Sequence, residues 1–541
     1  MKRQKAGNIF RALIGGMIIG CIILFYALVW PSMAAEKPQY GGILNTSFAY
    51  NPRTYDPHQS GSVSIAAPIA PHYSLLLKLD PENYPKIIGD LAESWTVSRD
   101  SKTYTFKIHK GVKFHDGSIL TARDVKATYD KIIFPPSGVI SDRQALYAVV
   151  EKVEAPDAYT LVFRLKWTDA SFLSNLASPF NFIYKADILA KDMHWYEKNV
   201  MGSGPFKFVE HVAGSHWLGK RNEDYFVKGR PYLDGFRVTI IPDQAARVAA
   251  IRAGRVHGDF LYLPPSTRDD LVRAMGDKIK VQELAGISNS MIIINCSQKP
   301  FDDPRVRRAL SLAMDRWEGW KSVSQISNLK TVGGMLRPGS EFAMTDEELM
   351  KITGFSKDIN TSRKEARRLL REAGVPDGFS FKLKNWSSNK DYEVAAIWAI
   401  DQWRQIGLNV TQVVAEAGTS VVDQRAGNFQ LYVDAISDFA DDPGLQYLQF
   451  LSSDKSSINH QRYTDRVLDD LYDKQSQTMD PVKRKELCHQ FERRALDEMG
   501  YFIPILWRQR IVLHSAQVKG WKALPSQHLD RDLANTWLSK D

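Results

Sequence analysis

The sequence predicts a mixed α/β fold, α+β in texture, divided into several domains. Three observations carry that prediction. Strand-period and helix-period segments alternate along the whole chain. Helices open on capping signals and close on glycine. And 541 residues are too many for one core; length alone suggests about three domains.

The first element is a targeting segment. Lys2, Arg3, Lys5 and Arg11 precede an uncharged run over residues 12–30, and Ser32 and Ala34 then fit a small-residue cleavage pattern. At about 19 residues the run could also nearly span a bilayer uncleaved. Residues 1–34 therefore read as a signal peptide or a retained N-terminal membrane anchor, and both place the rest of the chain outside the cytoplasm. Ile18-Ile19-Gly20-Cys21 mimics a lipoprotein cleavage box. The apolar run continues well past Cys21, so Cys21 reads as part of the leader's apolar core.

Residues 89–124 spell out two strands and a helix start. Trp95 and Val97 alternate with polar neighbours, and residues 98–101 turn the chain. Tyr104, Phe106 and Ile108 then alternate with Thr105, Lys107 and His109, the period of a half-buried strand. Asp116-Gly117 makes a second turn. Thr121 is an N-cap with Asp124 three residues on.

The second half continues the alternation. Asp303-Pro304 opens a helix carrying Val306, Ala309, Leu310 and Ala313. Ser362 and Glu365 form a capping box for a helix ending near Gly374, and residues 379–383 read as a strand. Residues 391–406 read as a helix closed by Gly407, with a strand over 408–414. Asp480-Pro481 opens a helix with Leu487, Phe491 and Leu496 on one side, stopping at Gly500.

Composition excludes several classes. The chain is 44% hydrophobic and 25% charged, ordinary globular values, without a repeat of solenoid period. Its net charge is +9, but outside the leader 67 basic residues face 62 acidic ones. That mild excess gives no case for nucleic acid. Cys296 and Cys488 are the cysteines left after the leader and are expected as free thiols, although one disulfide is compatible with an oxidising compartment. With no CxxC and no Cys/His cluster, neither a structural metal nor a cofactor is expected. Nucleophile elbow, HExxH, P-loop and dinucleotide fingerprint are all absent, so the chain reads as a non-enzyme.

The string LAESWTVSRDSKTYTFKIHKGVKFHDGSILTARDV resembles a signature of the extracytoplasmic solute-binding proteins of family 5, which serve peptide/nickel-type ABC importers. Further stretches resemble the same family in the same order: Tyr40-Gly41-Gly42 with residues 52–58, Gly202-Ser203-Gly204-Pro205-Phe206, Arg221-Asn222 with residues 231–235, residues 244–258, and residues 295–316. The resemblance implies a two-lobed periplasmic binding protein fold of type II with an extra domain. Domain I would combine residues 35–79, 201–294 and 505–541. Domain II, the extra domain, would be 80–200, and domain III 295–504. Two strands would cross between lobes near 292–295 and 502–506. The implied function is capture of a small peptide or other polar organic solute and its delivery to ABC permease subunits, by a periplasmic monomer. The other readings are a membrane-anchored enzyme or chaperone reusing the fold, and a ligand-binding partner of a chemoreceptor.

Site candidates follow from loops beside these motifs. Ser60, Gly61 and Ser62 would sit at the cleft mouth and offer backbone and hydroxyl donors; the other reading is a plain loop. Asn385 and Trp386 follow a domain III strand, Trp386 being a stacking wall or ordinary core. Trp507, beside the second crossing, is an aromatic-wall candidate. Ser437-Asp438-Phe439 begins a loop similar to the family's ADYxDP-type loop, where an Asp accepts the α-amine in peptide binders. Asp438 matches if one residue is inserted before the Asp-Pro; aligned from the other side, Phe439 does. Ala435-Ile436 stand where a tryptophan is common, and Val433 where peptide binders can carry arginine, departures that weigh against a peptide specifically. Arg425 is a candidate for an anionic ligand group or a solvated side chain. Asp441-Asp442 read as solvated loop acids.

Overall fold

The structure is a computed structural model that describes residues 36–387, 390–456 and 458–540. The expected leader, with Cys21, lies outside the described residues. Among the described residues no helix is long and apolar enough to cross a membrane.

Residues 89–124 form the predicted elements. Strands Ala92–Val97 and Thr103–Ile108 pair antiparallel, and Thr103–Ile108 pairs on its other edge with Thr160–Leu165, which pairs with Val150–Asp157. Tyr104, Phe106 and Ile108 are buried, whereas Val97 is exposed: it lies on the edge strand of this four-stranded sheet. Helix Ala122–Ile133 carries the predicted box, with the Thr121 N–H donating to the Asp124 carboxylate at 2.8 Å.

Helix Ile359–Glu372 starts earlier than Ser362, because Asp358 outcompetes it as the cap. The Asp358 carboxylate accepts the Thr361 N–H at 3.0 Å, and the Ser362 hydroxyl bonds back to the Asp358 carbonyl at 3.0 Å. Strands Ser380–Trp386 and Asn409–Ala415 flank helix Lys390–Arg404. Helix Pro481–Glu492, capped by Asp480, runs into a π-turn at Arg493–Glu498 before Gly500.

The largest sheet has eleven strands. Two long strands, Ile279–Ile294 and Phe502–Ser515, run antiparallel through its middle. Toward one end Phe502–Ser515 pairs with Gly258–Asp259, beyond which lie Ile43–Phe48, Gly235–Ile240, His216–Arg221 and Phe206–Val212. Toward the other, Ile279–Ile294 pairs with Leu431–Ser437, beyond which lie Ser380–Trp386 and Asn409–Ala415. Residues 40 and 530 thus share one side of the molecule, an arrangement no local pattern reveals.

The two long strands lose register between Ala285 and Asn289, opposite residues 507–509. A second shift falls between Ser290 and Met291, opposite residues 504–506, within the stretch where one crossing was expected, while residues 292–294 pair without interruption with residues 431–433. Apolar β-rich residues mark a strand covered on both faces. The break is composed of Gly286, Ile287 and Ser288, and from Ser288 onward the strand pairs on its other edge with Leu431–Ser437.

The hydrophobic clusters follow this division. One gathers Ile292, Leu310, Trp403, Phe491 and Phe502; another gathers Phe206, Trp217, Phe236 and Val512. The cluster of the four-stranded sheet also takes in Phe439, Ala440 and Leu445 from the segment after Leu431–Ser437. The halves are therefore in contact.

Candidate functional site

Three parts of the chain converge on the Phe180 ring. The Arg143 guanidinium stacks on it, 3.8 Å from its centroid. The Phe439 ring lies 6.5 Å away and the His528 ring 5.0 Å away. Arg143 immediately precedes the short helix Gln144–Tyr147, and Asp438-Phe439 immediately follow strand Leu431–Ser437. Gly61 completes the group. Its N–H donates to the Asp142 carboxylate at 2.9 Å, and a Cβ at Gly61 would lie 2.8 Å from Arg143 Nη2. Here glycine gives the guanidinium room to approach the loop backbone.

The electrostatics of this seam are unusual. Arg143 is buried, and its Nε and Nη1 have no hydrogen-bond partner. Burial lowers its pKa, while Asp438 and Asp142 act to raise it. Asp438 is pushed up to about 6 by burial, opposed by the Phe439 N–H at 2.7 Å and by Arg143. His528 is pulled down to about 3 by burial and by repulsion from Arg531, Arg143 and Arg510, so it is neutral at neutral pH.

A second polar patch borders the register break. Arg508 Nε lies 3.4 Å from the Asp391 carboxylate, and its guanidinium carbon lies 4.8 Å from the Tyr392 ring centroid. Asp434 accepts from Gln424 Nε2 at 2.9 Å and is pushed up to about 6 by burial. Trp386 Nε1 and Asn289 Oδ1 are buried without partners.

The halves are tied beside these groups. Ser171, from the side of the four-stranded sheet, donates to Asp442 Oδ1 at 2.6 Å, and Arg484 Nη2 reaches Ser171 Oγ at 2.8 Å and Asp442 Oδ1 at 2.9 Å. Arg337 pairs with Asp441 at 2.6 Å. Asp441 and Asp442 are thus buried, arginine-paired acids rather than solvated ones, because the opposite half covers their loop.

The structure brings together only part of the expected set. Phe439 meets Phe180 with Asp438 next to it in sequence, and Gly61 lies against Arg143. Ser60 uses its N–H on the Pro57 carbonyl at 3.3 Å, and the Ser62 hydroxyl accepts the Ser64 N–H at 3.3 Å as the cap of helix Val63–Ile69. Asn385 is engaged within its own sheet, accepting from Gln412 at 2.9 Å and donating to the Trp386 carbonyl at 3.1 Å. Trp386 borders the second patch. Trp507 packs against Gly333 and donates from Nε1 to the Gly334 carbonyl at 3.1 Å. Ser437 ends its strand opposite Ser288. Arg425 is exposed, since it ends helix Ala417–Ala426 on the outer surface.

Sequence reasoning missed Arg143, Phe180, His528, Asp434 and Arg508. Arg143 and Phe180 stand in loops without periodicity, and His528 enters through a contact more than 300 residues away in sequence. Arg508 was readable, with Arg510, as a charge between apolar stretches of one strand, a placement that demands a partner. Among the described residues no three His, Cys, Asp or Glu gather as metal ligands. Cys296 and Cys488 are free thiols, pushed up to about 11 and about 12 by burial.

Residues 86–457 match the bacterial extracellular solute-binding proteins, family 5. The chain is 29% identical to the oligopeptide-binding protein AppA of Bacillus subtilis, over 94% of this chain and 93% of that one. It is 26% identical to the glutathione-binding protein GsiB of Escherichia coli K12, over 87% and 90%. Among solved structures it resembles the binding protein AgaA of A. tumefaciens R10 in complex with agropinic acid, with a TM-score of 0.78 and 25% identity, over 92% of this chain and 99% of that one.

Proposed function

The chain belongs to the bacterial extracellular solute-binding proteins of family 5, and from that premise we propose that it captures a small peptide or other polar organic solute for an ABC importer. Capture takes place outside the cytoplasm, after export through residues 1–34, and the loaded monomer docks on membrane permease subunits. One lobe is residues 35–79, 201–294 and 505–541 with the extra domain 80–200; the other is 295–504. The register break at 286–288 opposite 507–509 is the hinge, because it is where the two long strands change neighbours. The relatives named above bind oligopeptides, glutathione and agropinic acid, all small polar molecules with charged ends.

One observation carries this reading: the seam between the halves collects buried charges of both signs and aromatic faces from three parts of the chain. Such a lining holds a polar solute and drives closure through contacts made only in the closed form. The test is native mass spectrometry of gently purified protein, followed by a thermal-shift screen of peptides, opines, oligosaccharides and metal chelates. A co-purified solute or a stabilising hit is expected. No retained species and no stabilisation across all four classes would overturn the proposal.

A further inference from the structure

We propose that Arg143 is a specificity-determining anchor, and that with Asp438 it selects a solute carrying an ammonium and a free carboxylate on one carbon. The inference rests on the solute-binding reading and names the class of solute.

The argument starts from the cost of Arg143 as it stands. Guanidinium N–H groups buried without acceptors are unfavourable, since they have lost water and gained no hydrogen bond in exchange. Stacking on Phe180 at 3.8 Å engages only its face. The in-plane donors at Nε and Nη1 are buried and unpaired. Asp142, whose Oδ2 accepts the Gly61 N–H at 2.9 Å, does not reach them, so the acceptor left to them is an anion that enters the seam from outside.

Asp438 supplies the second half. Asp438 adjoins Phe439, whose ring lies 6.5 Å from the Phe180 ring that Arg143 stacks on, yet its carboxylate accepts the Phe439 N–H at 2.7 Å and makes no hydrogen bond to Arg143 Nε or Nη1. A guanidinium and a carboxylate on one seam, with no hydrogen bond between Asp438 and the Arg143 Nε or Nη1, suit a small group bearing both complements. An α-linked peptide presents an amine at its N-terminus but a neutral carbonyl on the same carbon. An amino-acid head, as in a γ-glutamyl conjugate or an opine, presents both charges there. The Gly61 backbone keeps the position open, because any side chain there would collide with Arg143 Nη2.

Two isomeric tripeptides separate the cases: γ-Glu-Cys-Gly keeps ammonium and carboxylate on one carbon, and α-Glu-Cys-Gly does not. Isothermal titration of the exported protein should show the γ isomer binding at least tenfold tighter. Arg143→Gln should erase that preference, with at least a tenfold loss for the γ isomer and less than a twofold change for the α isomer. A merely structural Arg143 would lower Tm and leave the preference intact, which overturns the proposal. If the glutamine variant does not fold, Arg143→Lys, which keeps the charge but not the planar donors, should reduce the preference. Equal binding of the isomers, or tighter binding of the α isomer, overturns it without any variant. If neither isomer binds but α-linked peptides from the screen do, the proposal fails and the solute-binding reading stands. If nothing binds, both fail.

Discussion

The strand-and-helix unit at residues 89–124 and the seam at Phe180 treat polar groups in opposite ways. Between residues 89 and 124 no buried side-chain nitrogen or oxygen lacks a partner. Asp124 closes its capping box, and Lys107 reaches Thr160 at 2.8 Å. At the seam and beside the register break, Arg143, His528, Trp386 and Asn289 each leave a buried polar atom without a hydrogen-bond partner, and Arg508 Nε has only the 3.4 Å ion pair with Asp391. An unsatisfied buried group costs about 1–3 kcal/mol, more when charged. The first region is saturated from within the chain; the second, on the proposal above, is completed by the solute.

The comparison breaks most visibly at Phe106. Its side chain is fully buried, 5.9 Å from the Phe163 ring and in contact with the four-stranded sheet's cluster. Phe106→Ala should cost about 3–5 kcal/mol. Urea unfolding reads the loss. Isomer preference in the folded fraction should not change, because no polar group of the seam depends on that ring.

Next comes a titration beneath the second patch. Glu492 is fully buried, accepts the Met335 N–H at 3.1 Å and meets the Tyr447 hydroxyl at 3.1 Å. Burial pushes it up to about 7 from an ordinary 4.5. The folded form therefore holds the proton more tightly than the unfolded form. The stability from this group is complete below about pH 4.5 and is lost as pH rises through about 7, up to about 3 kcal/mol. Glu492→Gln, always neutral, should lose less stability than wild type between pH 5 and pH 8. Paired urea titrations at the two pH values check this; parallel losses would show Glu492 to be ionised throughout.

A smaller effect separates closure from recognition. Ser171 bridges Asp442 and Arg484 across the halves, but the ion pair itself persists without its hydroxyl. Ser171→Ala should weaken closure by about 1 kcal/mol. Solute affinity should fall by about fivefold for every ligand alike, since only the binding-competent population shrinks. A change in the γ-to-α preference would instead place Ser171 among the selecting groups.

The two regions also differ in how legible they are. Strands and caps at residues 89–124 are local, so period two and a cap three residues before an acid suffice to place them. Asp358 displaced Ser362 as a cap because two competent residues stood four apart and only packing could choose. The crossing was sought in the apolar residues 292–295 and 502–506; the strands shift register at 286–288 and again between Ser290 and Met291, opposite 504–506. Of the seam, the loops around Gly61 and Asp438 were found through resemblance to a family. Arg143 was not, because nothing in a loop sequence reveals that its donors will be buried and left open.

Arg425 gives the finest test, since chemistry alone makes it as good an anion anchor as Arg143. Its side chain is exposed at the end of helix Ala417–Ala426, and there a guanidinium keeps its water and is screened by salt. Arg425→Ala should change stability by less than about 0.5 kcal/mol and leave affinity for both tripeptide isomers within twofold. Arg143→Gln and Arg425→Ala remove the same formal charge, so any difference between them measures burial and not charge. Equal losses from the two variants would mean that a general positive field attracts the solute, and the distinction between a saturated region and an open seam would lose its functional meaning.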